Sequence, residues 1–128
     1  MGEEVNHFLV ENMDLQTIVD SCREEFGCDV VLARYDSVES FVVISQLISQ
    51  TPGKGNGTKC MKYLLKEFGD GGVKMVSLVA CPTGGMKAAA RHEGVIRLVK
   101  WYHRFGFEFV RYSKCGDYIA NAEMEMAL

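Results

Sequence analysis

The chain has 128 residues, 48% of them hydrophobic and 24% charged, which bounds it to one ordinary globular domain with a packed core. Lys and Arg total 14 against 17 Asp and Glu, a net charge of −3. That balance argues against a general nucleic-acid coat protein and leaves room only for a local basic patch. No apolar run is long enough to cross a membrane, and the acidic start MGEEVNHFLVENMD has no signal-peptide pattern.

In chain order, HFLVENM (residues 7–13) is the one segment that could serve as a first strand. DLQTIVDSCREEF (14–26) follows as an amphipathic helix, with Leu15, Ile18, Val19, Cys22 and Phe26 on one stripe. Asp14 is its expected N-cap and Gly27 its stop. A hairpin comes next, with strands near 29–35 and 39–48 and a turn at Asp36-Ser37. A glycine loop then feeds a helix from about 57 to 68. Its apolar stripe is Met61, Leu64, Leu65 and Phe68, while Lys59, Lys62 and Lys66 lie on another face.

VKMVSLVACP (73–82) is a continuous apolar run, predicted as a strand buried on both faces. TGGMKAAARHEG (83–94) is readable as loop or as helix. VIRLVKWYHRF (95–105) is predicted as a helix with Val95, Leu98, Val99, Tyr102 and Phe105 inward, closed by Gly106. FEFVRYS and YIANAEMEMAL complete the chain as two strands around a turn at 114–117. The mixture is α/β with antiparallel portions flanking a central crossover, in a single domain over residues 1–128.

Cys22, Cys28, Cys60, Cys81 and Cys115 are odd in number and never spaced as CxxC. Buried or free thiols in a reducing cytoplasm are expected rather than a disulfide framework or a zinc site. His7, His92 and His103 are too scattered to suggest a metal site.

The stretch SQTPGKGNGTKCMKYLLKEF (49–68) carries the chemical signal. A strand that stops at a glycine loop opening a helix makes an anion site, because unpaired helical N–H groups and the helix dipole both favour negative charge. Glycines let the backbone come close to phosphate oxygens. The order Gly57-Thr58-Lys59 fails the P-loop pattern, and glycines at 53, 55 and 57 miss the last spacing of the dinucleotide fingerprint. A glycine turn that binds nothing stays open on the loop alone.

PGKGNGT (52–58) before a helix, the apolar strand, and LVKWYHRFGFEF (98–109) together resemble the GCN5-related N-acetyltransferase (GNAT) superfamily. The family's pyrophosphate loop runs Arg/Gln-x-x-Gly-x-Gly/Ala, which Gly55 and Gly57 match with Pro52 in place of the first residue. A frame at Gln50, Gly53 and Gly55 restores the Gln and moves the helix start. The later family motif Leu-x-x-aromatic-Tyr-x-x-x-Gly-Phe is matched by Leu98, Trp101, Tyr102, Gly106 and Phe107. The resemblance covers residues 41–109. The compact size and the ending also resemble small acetyltransferase-like proteins encoded by phages.

The resemblance implies a mixed, mostly antiparallel sheet flanked by helices, with a short N-terminal region. It implies acetyl-CoA as co-substrate, its pyrophosphate on the amides of Lys54, Gly55, Asn56, Gly57 and Thr58, with Lys59 beside them. Leu47, Ile48 and Ser49 would pair with the pantetheine, and a backbone N–H near Ile48 would face the oxyanion. Tyr102 would protonate the departing thiolate; its bland counterpart is a packing tyrosine on the apolar stripe. His103, Asp36, Glu39 and Glu108 are the candidate bases, with no choice among them, and Cys81 is read as packing. The acceptor would be an amine of a small molecule or a protein, with no membrane partner and nucleic acid disfavoured by charge. A homodimer is left open. The alternatives are a catalytically inactive GNAT-fold binding module and a GNAT-like modifier of nucleic-acid bases.

Overall fold

The structure, a computed structural model, describes residues 9–10, 13–36, 38–49 and 53–128. Ser37, Gln50 and Pro52, named above for the turn and the loop, lie outside the described residues, as do His7, Phe8, Glu11 and Asn12 of the expected first strand. The elements are β1 (Leu9–Val10), β2 (Met13–Asp14), α1 (Leu15–Phe26), β3 (Cys28–Asp36), β4 (Phe41–Ser49), α2 (Asn56–Asp70), β5 (Met75–Ala80), α3 (Ala88–His103), β6 (Glu108–Cys115) and β7 (Tyr118–Ala127). β1 and β2 pair antiparallel. The other strands form a five-stranded sheet in the order β3-β4-β5-β7-β6. The chain divides into two compact units, Met1–Val76 with Ala127–Leu128, and Ser77–Met126.

In the first unit, α1 forms because its apolar residues recur at helical spacing and because its start is capped. Asp14 Oδ1 accepts the backbone N–H groups of Gln16 and Thr17 at 3.0 and 3.3 Å. Gly27 ends the helix at φ 63°, a left-handed position that favours glycine, and its N–H returns to Arg23 O at 3.0 Å. Leu15, Ile18 and Cys22 of α1 are buried, as are Cys60, Met61, Leu64 and Phe68 of α2. Val30, Val42 and Ile44 bring the buried residues of the β3-β4 hairpin. Asp36 closes that hairpin by accepting the N–H groups of Val38 and Glu39 at 3.0 and 3.1 Å, and these bonds, led by Glu39, hold its carboxyl below the usual range. Asp14→Ala removes a satisfied cap and is expected to cost about 1 kcal/mol. Urea unfolding checks this as a lower midpoint at unchanged slope.

In the second unit, β6 and β7 form an antiparallel hairpin and α3 supplies buried Val95 and Tyr102. One expectation needs correction here. The strand at 75–80, whose first two residues belong to the first unit, is not closed on both faces: Val76, Leu78 and Ala80 are buried, whereas Val79 is 42% exposed. Its apolar composition hid an ordinary alternation. The ambiguous stretch before residue 95 is helix from Ala88 onward. Its first turn has no apolar stripe, since residues 88–90 are exposed. Polar contacts anchor it instead. Arg91 Nε donates to Ala120 O at 3.0 Å, and the Ile119 N–H donates to His92 Nδ1 at 2.9 Å. Leu98, Val99 and Phe105, expected inward, are half-buried.

Candidate active site at the end of strand β4

The register of the β3-β4 hairpin slips twice, so that Val31 faces Gln46, Leu32 faces Ile44 and Arg34 faces Val43. Ser45 and Ala33 are left without a direct partner. The consequence shows in the burial of β4. Val42 and Ile44 point inward before the slip, whereas Leu47 and Ser49 are the more covered residues after it. A bulge changes which residues face the core and re-aims the end of the strand. Ile48 falls on the open side, at 36% exposure. The consecutive polar pair Ser45-Gln46 breaks the alternation at the slip, and the sequence reading missed it.

The predicted cofactor residues occupy both sides of the loop. Leu47, Ile48 and Ser49 are the last residues of β4. Gly53, Lys54 and Gly55 are exposed, and Asn56, Gly57, Thr58 and Lys59 open α2. Gly53 has φ 85° and Gly55 φ 79°, left-handed conformations that a side chain would strain. Gly55 is the N-cap of α2 and, lacking a side chain, it caps nothing. The first intrahelical bond runs from Lys59 N–H to Gly55 O at 3.2 Å. The amides of the first turn therefore have no acceptor within the helix, and no acidic residue occupies that turn. The 15-residue α2 adds its dipole, positive at this end.

Cys28 shows that the two sides of the loop meet. It stands opposite Ser49 across the β3-β4 ladder, and its Sγ lies 3.7 Å from the carbonyl oxygen of Asn56. So the last residue of β4 and the first residue of α2 share a neighbour. The start of α2 thus lies beside the end of β4. Such an arrangement suits an anion with several oxygens, of which pyrophosphate is one.

Tyr102, the predicted acid, belongs to the second unit. It is 8% exposed and lies edge-on to Trp101 and Phe107, with ring centres 5.1 and 5.9 Å away. Burial among rings pushes its phenol above the ordinary value, so the group is a protonated acid at neutral pH. Phe107 is fully buried and Trp101 half-buried. The candidate bases fare unevenly. The His103 ring is exposed, and its Nδ1 donates to Phe107 O at 3.1 Å, which ties the ring to the end of its own helix. Asp36 is engaged in the hairpin turn. Glu39 and Glu108 are exposed. Cys81, read as packing, has an unforeseen neighbour, Arg91 Nη2 at 2.9 Å from its Sγ. Among the described residues no group of His, Cys, Asp and Glu is placed to hold a metal ion, and no helix is long and apolar enough to cross a membrane.

No family model matches the chain, and no curated protein matches its sequence. Solved structures do match its fold. A probable GNAT-family acetyltransferase from Chromobacterium violaceum aligns with a TM-score of 0.55 at 13% identity, over 77% of this chain and 50% of the other. A GNAT-family acetyltransferase from Streptococcus pneumoniae gives a TM-score of 0.51 at 14% identity, over 79% and 58%. Naa50 from Arabidopsis thaliana, solved with the bisubstrate analogue CoA-Ac-MVNAL, gives 0.51 at 15% identity, over 79% and 64%. The chain thus spans between 50% and 64% of the length of these proteins. At such identities the likeness speaks for the fold. The mixed five-stranded sheet flanked by helices is the fold of the GNAT acetyltransferases.

Proposed function

We propose that this chain is an acetyl-CoA-dependent N-acetyltransferase that passes the acetyl group to a primary amine by direct attack. One observation carries the reading. In a chain of this fold, the strand end at Ser49 is followed by glycines in left-handed conformation and by a helix whose N-cap glycine makes no side-chain bond. The bisubstrate analogue held by Naa50 joins CoA to an acceptor through an acetyl group, and it is the model for both substrates here.

On this reading the amides of Gly55, Asn56, Gly57 and Thr58 hold the pyrophosphate, with Lys54 and Lys59 adding positive charge from solvent-exposed positions. The backbone of Leu47, Ile48 and Ser49 binds the pantetheine arm. Two substrates held in register supply much of the acceleration through proximity. The amine nitrogen attacks the thioester carbonyl carbon, and a backbone N–H near Ile48 stabilises the oxyanion. The C–N bond forms and the C–S bond breaks. The departing thiolate takes the Tyr102 hydroxyl proton, the amine gives its surplus proton to water, and Tyr102 recovers its own from water. The thiols suit a reducing compartment, and we place the protein in the cytoplasm.

Release of CoA thiol from acetyl-CoA, measured against a panel of amino acids, polyamines and peptide amines, tests the activity. Amine-dependent release is expected with at least one class. If acetyl-CoA binds and no amine accelerates release, the chain is a binding module on this fold.

A further inference from the structure

Of the five cysteines, Cys22, Cys28 and Cys60 are fully buried in the first unit, on α1, β3 and α2 respectively. The proposed mechanism uses none of them. Cys60 lies beside both other thiols. Cys28 alone reaches the loop. Its Sγ lies 3.7 Å from two carbonyl oxygens, those of Phe26 at the end of α1 and Asn56 at the start of α2. Its thiol also contacts the side chain of Ser49. Burial, chiefly, pushes the Cys28 thiol up to about 11, and contact with Cys22 followed by burial raises Cys60 well above the usual thiol range. Both therefore keep their protons, and the single S–H of Cys28 is available to one of these acceptors at a time, Asn56 O among them. A merely space-filling residue would need no donor at this point, and a Val or Ala would serve as well.

We propose that Cys28 is a positioning residue for the cofactor loop: its thiol ties the Asn56 carbonyl to the end of β4 and so aims the first amides of α2 at the pyrophosphate. The inference rests on the acetyl-CoA reading above. Asn56 O accepts at the first helical position, 28 residues along the chain from Cys28. Losing that donor leaves Asn56 O with its helical bond alone and loosens the aim of the first turn, while the helix body, packed through Met61, Leu64 and Phe68, stays in place.

The test measures acetyl-CoA affinity by calorimetry in Cys28→Val, Cys28→Ala, Cys28→Ser and Cys22→Ala, with the melting temperature of each unliganded protein alongside. Cys28→Val and Cys28→Ala are expected to weaken binding roughly three- to tenfold, the range of one lost hydrogen bond. Cys28→Ser, which restores a donor at nearly the volume of Ala, is expected to recover most of the affinity. Cys22→Ala should lower the melting temperature and leave affinity unchanged, since it touches no part of the loop. Wild-type affinity in Cys28→Ala, or equal affinity in Cys28→Ala and Cys28→Ser, overturns the positioning role while the acetyl-CoA reading stands. Should Cys28→Val fail to fold, the Ala–Ser pair decides. Absence of binding in the wild type overturns both readings together.

Discussion

Tyr102→Phe is expected to lower the turnover number for acetyl transfer roughly 100-fold or more, the usual range for a lost general acid. Affinity for acetyl-CoA should stay within about twofold, because the variant removes one oxygen and no loop contact. The ring keeps its edge-on neighbours Trp101 and Phe107, so the packing survives. The pH dependence follows from burial, which raises the phenol above its ordinary value near 10. A step that needs the protonated phenol runs at full rate through neutral pH and falls off only above pH 10. Stability has the same sign. The folded-state value is raised, so the contribution is complete below pH 10 and is lost as pH rises through the higher folded value. Steady-state kinetics of wild type and variant from pH 7 to pH 11 check both parts. An unchanged turnover number removes the acid role from Tyr102 and leaves the enzyme reading intact.

Gly55→Glu is expected to abolish stabilisation by acetyl-CoA. Among the described residues a Cβ at residue 55 meets nothing within 4 Å, so no clash with them is expected. The effect comes from conformation and charge. A side chain at φ 79° costs about 1–2 kcal/mol in backbone strain. A carboxylate at the N-cap also occupies the positive end of α2 and competes with the pyrophosphate for the same amides. Wild-type protein at 100 times Kd should gain about 2.7 kcal/mol from the ligand by mass action, and the variant almost none. Gly55→Ala shares the strain without the charge and should keep part of the ligand shift. Full stabilisation of Gly55→Glu by acetyl-CoA places the cofactor elsewhere.

Local chemistry was legible in the sequence wherever one short segment contained both the signal and its partner. Asp14 and Gly27 announced the ends of α1 because capping is settled within a few residues. Gly55 announced the loop for the same reason. Tyr102 was legible as a buried residue from its place on the stripe. The failures are long-range. The slip at Ser45 depends on the register with β3, which no residue of β4 encodes alone. The early start of α3 depends on Arg91 and His92 meeting β7, almost thirty residues later in the chain. Val79 is open although its neighbours are apolar, because hydropathy counts residues and not faces. Cys28 was one of five thiols and had no assigned role in the sequence, and only the fold sets it against Asn56.

A thermal-unfolding titration of the wild-type chain with acetyl-CoA bears most directly on the central claim. A melting temperature that climbs with ligand concentration and keeps climbing beyond Kd, as linkage requires of a ligand bound only by the folded state, is the predicted result. A melting temperature unmoved at millimolar acetyl-CoA would contradict the account and leave the glycine loop as a turn between β4 and α2.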